Sequence, residues 1–146
     1  MQLSGFNYVV PVQVRFADTD ALGHVNNAVY LSYIEMARVI YFREVFGDLI
    51  DWKSTGLILA KAEVNYRRPL YITDELHVAL RTKSIGEKSF VSEYGLFVKK
   101  NDEYTLVSTA ETVLVCIDYT TGKTFAMPDS WRAAIFERDA NPALQP

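Results

Sequence analysis

The pattern of apolar and polar positions changes period twice along this chain. From Phe6 to Phe16 the valines Val10, Val12 and Val14 recur at every second residue. A period of two puts alternate side chains on one face of an extended chain, so the segment predicts a strand. Ala17 to Asn26 lose that pattern and carry Asp18, Asp20, Gly23 and Asn26, residue types that favour loops. Asn27 to Phe46 then predicts a helix, with Asn26 or Asn27 able to cap its first N–H groups and Gly47 placed to end it. Its apolar positions run from Val29 and Tyr30 through Leu31, Met36 and Val39 to Phe46, which is more than one stripe. A helix apolar on most sides is expected to be buried on most sides, so the rest of the chain must wrap it.

Four further segments, Leu57 to Arg68, Asp74 to Ile85, Ser89 to Lys99 and Tyr104 to Tyr119, are rich in Val, Ile, Thr, Tyr and Phe and predict strands. In the second of them Leu76, Val78 and Leu80 alternate with His77, Arg81 and Lys83 on the opposite face. The connections Pro69 to Thr73, Gly86 to Lys88 and Lys100 to Glu103 are short, which favours an antiparallel meander. A short helix over Asp129 to Arg138 follows Pro128. This order predicts an α+β fold: an antiparallel five-stranded sheet wrapped around one long central helix, with a short C-terminal helix.

Composition narrows the function. A chain of 146 residues suits one domain over 1–146, and 49% hydrophobic with 23% charged residues is the mix of a globular protein. A net charge of -3 argues against nucleic acid as the main partner, because neutralising phosphates takes a basic face. Cys116 is the single cysteine, so no intrachain disulfide is possible, which fits a reducing compartment. It lies in the apolar run Val113 to Ile117 and reads as a core residue. The N-terminus lacks a basic start followed by an apolar run, and no apolar stretch is long enough to span a bilayer. The expected location is cytoplasmic, without a membrane partner. With His24, His77 and Cys116 alone, no zinc cluster of the usual spacing can be assembled, and no Gly-rich phosphate loop is present.

The chemistry concentrates in Val14 to Arg38, VRFADTDALGHVNNAVYLSYIEMAR. Asp20 lies in a loop that feeds a helix start seven residues later. The first N–H groups of a helix lack internal acceptors and sit at the positive end of its dipole, so such an end can hold an oxyanion. A carboxylate beside an oxyanion site suits acyl transfer: one group attacks or activates water, the other stabilises the tetrahedral intermediate. Read locally, Asp20 is equally a turn or capping aspartate.

With Asp20, Gly23, His24, Asn26, Asn27, Tyr30, Glu35 and Arg38 at these spacings, and with this order of elements, the chain resembles the 4-hydroxybenzoyl-CoA thioesterase family, a branch of the hotdog-fold acyl-CoA thioesterases. The resemblance covers nearly the whole chain and is densest over Arg15 to Arg38. It implies a hotdog fold and a thioester hydrolase that converts an acyl-CoA to free carboxylic acid and coenzyme A. It implies Asp20 as nucleophile or general base and the Asn27 backbone N–H as oxyanion donor. The family's reactive carboxylate matches Asp20 and not Asp18. No cofactor is implied, since coenzyme A is part of the substrate; an acyl carrier protein would present the same pantetheine arm. His24 would orient Asp20, contact the pantetheine or shape the loop. Lys88, followed by Ser89, and Lys123, five residues before Pro128, match the family's basic contacts to coenzyme A; Arg67 and Arg68, before Pro69, are further candidates. A homodimer or a dimer of dimers (a homotetramer) is implied, with the site between subunits.

The remaining motif positions read as structural. Asn26 and Asn27 side chains serve as caps, Glu35 and Arg38 are spaced for an ion pair, and Tyr30 and Tyr33 line the core or the pocket. Leu22 stands where the plant relatives place an asparagine. Tyr33, Ile58, Leu59 and Phe90 are candidates to line an acyl pocket. Two other readings stay open. A hotdog-fold enoyl-CoA hydratase or dehydratase resembles Asp-x-Asn-Pro-x-His; here Asp20-Ala21-Leu22-Gly23-His24 lacks the Asn-Pro and is one residue shorter. A non-catalytic acyl-CoA-binding module is the other.

Overall fold

The computed structural model describes Leu3, residues 5–139 and Leu144, so both ends of the expected 1–146 domain lie outside it. In chain order the elements are β1 (Tyr8–Val12), α1 (Val29–Phe46), β2 (Thr55–Tyr66), β3 (Glu75–Ile85), β4 (Ser89–Lys100), β5 (Glu103–Asp118), β6 (Lys123–Thr124) and α2 (Asp129–Arg138). The five expected strands and two helices are all present, and the two-residue β6 is added beside β5.

The first strand stops at Val12, short of the expected Phe16. From Arg15 the backbone turns to a local partner, its N–H donating to the Asp18 carboxylate at 2.9 Å, which ends the ladder. Helix α1 begins at Val29, two residues later than expected. Neither Asn26 nor Asn27 is its N-cap, which is Ala28 without a side-chain cap bond; Asn26 instead closes the turn before the helix, its side-chain oxygen accepting the Ala28 N–H at 3.0 Å and its carbonyl the Val29 N–H at 2.9 Å. Gly47 ends the helix with φ 52°, a left-handed conformation that glycine adopts freely.

The sheet runs β1-β3-β4-β5-β2, antiparallel throughout. The meander expected from short connections holds only for β3 to β5. β2 pairs with β5, so the segment between β2 and β3 steps across three strand spacings, about 14 Å. An extended segment of that length covers the distance, so a short loop does not force its strands to be neighbours.

α1 lies in the concave face, mainly over β1 and β3, where Ile34, Ala37 and Tyr41 join Leu76, Val78 and Leu80 in one core cluster. A buried network pins the C-terminal helix. The Tyr41 hydroxyl donates to Asp139 at 2.7 Å and meets the Thr82 hydroxyl at 2.6 Å, while the Thr82 N–H donates to the same Asp139 oxygen at 2.6 Å.

The expectation that α1 is buried on most sides is not met within one chain. Leu31, Met36 and Val39 are 42%, 54% and 47% exposed, and Ile58 and Leu59 on the edge strand β2 are 39% and 46% exposed. One curled sheet has one concave face, and it covers one side of a helix. Among the described residues no helix is long and apolar enough to cross a membrane.

Candidate active site

The loop between β1 and α1 treats its two aspartates differently. Asp18 is 2% exposed. One of its oxygens accepts the Arg15 N–H at 2.9 Å and the Tyr33 hydroxyl at 2.8 Å; the other accepts the Arg15 guanidinium at 3.1 Å. Burial pushes the carboxyl upward, and these hydrogen bonds outweigh it, so its pKa lies below the ordinary value. Burial and the Asp18 charge push the Tyr33 hydroxyl up, which keeps it protonated as a donor. Asp18 therefore fastens the loop to α1 and has no oxygen free of a donor.

Asp20 is exposed, at the mouth of a four-residue turn. The Gly23 N–H donates to its carbonyl at 3.1 Å, and Gly23 holds φ 83°, a conformation that would strain a side-chain-bearing residue. The Asp20 N–H donates to the His24 carbonyl at 2.8 Å, and Val25 donates to Leu70 at 2.8 Å, tying the loop to the chain ahead of β3. Oδ1 of Asp20 accepts the Leu22 N–H at 2.8 Å and the His24 N–H at 3.3 Å. No donor among the described residues reaches Oδ2. One oxygen orients the carboxylate and the other is free.

At the start of α1, the Asn27 N–H finds no acceptor among the described residues. The Asn27 carbonyl does find a donor: the Tyr66 hydroxyl, at the end of β2, at 2.8 Å. The Tyr66 ring stands edge-on to Tyr30 with centroids 4.9 Å apart. Asp20, His24, Asn27, Tyr30, Tyr66 and the run Arg67 to Pro69 line one open cavity of about 400 Å³. A carboxylate with a free oxygen thus shares a cavity with an uncommitted N–H at the positive end of an 18-residue helix. That arrangement can attack a carbonyl, or activate water against it, and hold the oxyanion that forms.

The sequence profile of the thioesterase-like superfamily matches residues 14–135. The chain belongs to the thioesterase-like superfamily. It is 31% identical over 120 residues to a 1,4-dihydroxy-2-naphthoyl-CoA hydrolase of Synechococcus elongatus, covering 80% of this chain and 85% of that protein. It is 30% identical over 122 residues to the acyl-CoA thioester hydrolase YbgC of Escherichia coli O6:H1, covering 82% of this chain and 89% of that one. A thioesterase from Thermus thermophilus, solved in complex with coenzyme A and Zn, superposes with TM-score 0.81 at 36% identity over 95% of this chain and 98% of that one. The hotdog architecture is shared with the family: an antiparallel curled sheet, a long central helix and a short C-terminal helix.

In this superfamily member the other expected contacts lie apart from Asp20. The cavity sits where Tyr66 faces Ser108 on β5, whereas Ser89 faces Val115 and Lys123 faces Asp118. Seven to ten residues of strand separate these rows, about 23–33 Å along the sheet. Lys88, whose carbonyl accepts the Cys116 N–H, belongs to the far end as well. Phe90 and Tyr33 are buried in the core, 0% and 4% exposed, and Ile58 and Leu59 lie on β2, so none of the four lines the cavity. The spacing of Glu35 and Arg38 predicts an ion pair that is absent from the described residues, because Glu35 faces out while Arg38 is buried.

The His24 ring stands edge-on to Tyr71, centroids 5.2 Å apart, and its backbone, through both N–H and carbonyl, braces Asp20. Tyr66 is the contact that sequence reasoning missed; only its place before Arg67-Arg68-Pro69 hinted at the end of a strand. A larger concavity of about 450 Å³ lies on the outer face of the sheet, but its charges are already paired, Arg81 with Glu93 and Glu111 with Lys83. Among the described residues no group of three or more His, Cys, Asp or Glu side chains is placed to hold a metal ion.

Proposed function

We propose that this protein hydrolyses acyl-CoA thioesters to free carboxylic acid and coenzyme A. The observation that carries the reading is the free Oδ2 of Asp20 in the same cavity as the unpaired Asn27 N–H. The substrate's thioester carbonyl oxygen points at the Asn27 N–H. Asp20 then acts in one of two ways. As nucleophile, its free oxygen bonds to the carbonyl carbon, the oxyanion accepts the Asn27 N–H, and the thiolate leaves to give a mixed anhydride that water hydrolyses. As general base, it takes a proton from a water that attacks the same carbon, and the thiolate leaves from that tetrahedral intermediate. Thiolate is a good leaving group, so neither route needs a strong general acid. Label found in the Asp20 carboxylate after a single turnover in ¹⁸O-water establishes the first route, since only water attack on the Asp20 carbonyl of the anhydride places it there.

The working unit is a homodimer, or a pair of such dimers, built on β2. β2 is a sheet edge of 12 residues with exposed Ile58 and Leu59, and a long apolar edge invites pairing. Pairing two copies of β2 antiparallel about a two-fold axis lays the Thr55 end of one beside the Tyr66 end of the other. Lys88, Ser89 and Lys123 of the second copy then approach the Asp20 cavity, which is how residues 23–33 Å apart in one chain (about that far by strand rise) join one coenzyme A site. The protein is read as cytoplasmic on its single, buried, unbridged Cys116.

The deciding experiment is thiol release from a panel of short, medium, long and aromatic acyl-CoAs, with acyl carrier protein thioesters alongside. Release from at least one of them is expected. A protein that binds acyl-CoA and releases no thiol from any member of the panel is a binding module, and the reading fails.

A further inference from the structure

We propose that Arg67 and Arg68 together form the site that takes an anionic group of the substrate. The inference rests on the thioesterase reading and adds to it a statement about which thioesters the cavity accepts. β2 ends at Tyr66, and the next two N–H groups, of Arg67 and Arg68, both donate to the Val107 carbonyl, at 3.0 and 3.1 Å. Two successive donors on one acceptor are the hydrogen-bond pattern of a β-bulge. A bulge turns consecutive side chains toward one side where a regular strand sends them to opposite faces. Pro69 follows, with no N–H to give and a ring that holds Arg68 extended, so the pair cannot slip back into the ladder. Both arginines line the cavity of Asp20 and Asn27.

Neither guanidinium has a partner among the described residues. Arg15 and Arg81 are each paired with a carboxylate, and Arg132 and Arg138 are each bonded to backbone carbonyls; Arg38 and Arg43 on α1 are also unpaired among the described residues, but only Arg67 and Arg68 line this cavity. Two adjacent like charges repel, and the chain as a whole has net charge -3, so acids to pair them were available and were placed elsewhere. A guanidinium presents a planar fork of donors that matches a carboxylate or phosphate oxygen pair, and two forks on one side match an anion between them. The shared chemistry is an oxyanion on the thioester substrate. It comes either from the phosphates of coenzyme A or from an acidic substituent on the acyl group.

The test uses the full chain and the double variant Arg67→Gln/Arg68→Gln, which keeps both backbone N–H groups. Four substrates separate the sources: butyryl-CoA, succinyl-CoA, and the N-acetylcysteamine thioesters of the same two acids, which lack every phosphate. If the phosphates are the anion, the variant raises KM about tenfold or more for both coenzyme A substrates, with kcat little changed and both N-acetylcysteamine thioesters unaffected. If the acyl group carries it, KM rises for the two succinyl substrates and for neither butyryl one. In either case KM of the wild type for the affected substrates climbs with added salt, and that climb flattens in the variant. Unchanged KM for all four substrates, in a variant whose circular dichroism matches wild type, overturns the proposal. If the double variant does not fold, each single substitution is measured in the same way. Should the protein release no thiol at all, the thioesterase reading falls. Calorimetric titration of butyryl-CoA and succinyl-CoA into wild type and variant then still decides the arginines: equal affinities overturn the assignment, and weaker binding by the variant sustains it.

Discussion

Asp18 and Asp20 are separated by one threonine, and their carboxylates meet different surroundings: three donors and burial for one, two backbone N–H groups on a single oxygen and open space for the other. The substitutions to asparagine should therefore diverge. Asp18→Asn loses charge-assisted hydrogen bonds in a buried place and should cost about 2 kcal/mol in urea unfolding. The pH dependence has a definite sign. The folded pKa of Asp18 is depressed, so its contribution is complete above the unfolded value, near ~3.9, and is lost as pH falls through the folded value. Acidification below about pH 4 should thus destabilise the wild type more steeply than Asp18→Asn. Asp20→Asn should unfold within ~0.5 kcal/mol of wild type, since the residue is exposed, while turnover falls at least ~100-fold. Near-normal turnover in that variant removes Asp20 from the mechanism. Cys116 offers a contrasting case: burial pushes its thiol up to about 11, so it should resist iodoacetamide at pH 8 until the protein is unfolded.

The helix start is held by two elements that sequence periodicity treats separately. The Tyr66 hydroxyl on β2 reaches the Asn27 carbonyl across 39 residues of sequence. Tyr66→Phe keeps the ring packed on Tyr30 and removes only that bond. It should lower kcat about tenfold by loosening the first turn, with KM changed less and stability reduced by about 1 kcal/mol. Equal kcat in that variant would leave Tyr66 a packing residue only. The elements themselves were legible, because alternation at Leu76, Val78 and Leu80, the Asn26 turn ahead of α1 and the Gly47 end are written into neighbouring residues. The pairing of β2 with β5 was not, because a short loop reads as a hairpin until the sheet shows what lies between its ends. The candidate site divides along the same line. Asp20, His24 and Asn27 fall in one segment and meet in one cavity; Tyr66, Arg67 and Arg68 arrive from β2, and only tertiary register brings them there. The far helix shows the same dependence. Tyr41→Phe strips a buried donor from Asp139 and should cost about 1–2 kcal/mol, with faster amide exchange in α2 than in the sheet.

Exposed apolar side chains on α1 and β2 are a departure from a self-sufficient chain: Leu31, Met36 and Val39 on the helix, Ile58 and Leu59 on the edge strand. In an isolated molecule, a charge placed at such a position costs little, within ~0.5 kcal/mol, because the side chain is already in water. In a dimer joined at β2, the same charge is buried at the seam, where an unpaired carboxylate is expensive. Leu59→Glu distinguishes the two. Light scattering should give twice the chain mass for the wild type, or four times for a pair of dimers, and half the wild-type value for the variant at equal concentration, with the circular dichroism spectrum retained. On the proposed dimer, thiol release should fall with dissociation, because Lys88, Ser89 and Lys123 lie about 23–33 Å from the cavity within one chain by strand rise and would reach it from the second copy. A variant that keeps the wild-type mass would move the seam away from β2. A wild type that is monomeric and fully active would mean that one chain supplies the whole site, leaving Arg67 and Arg68 as the cations nearest the thioester.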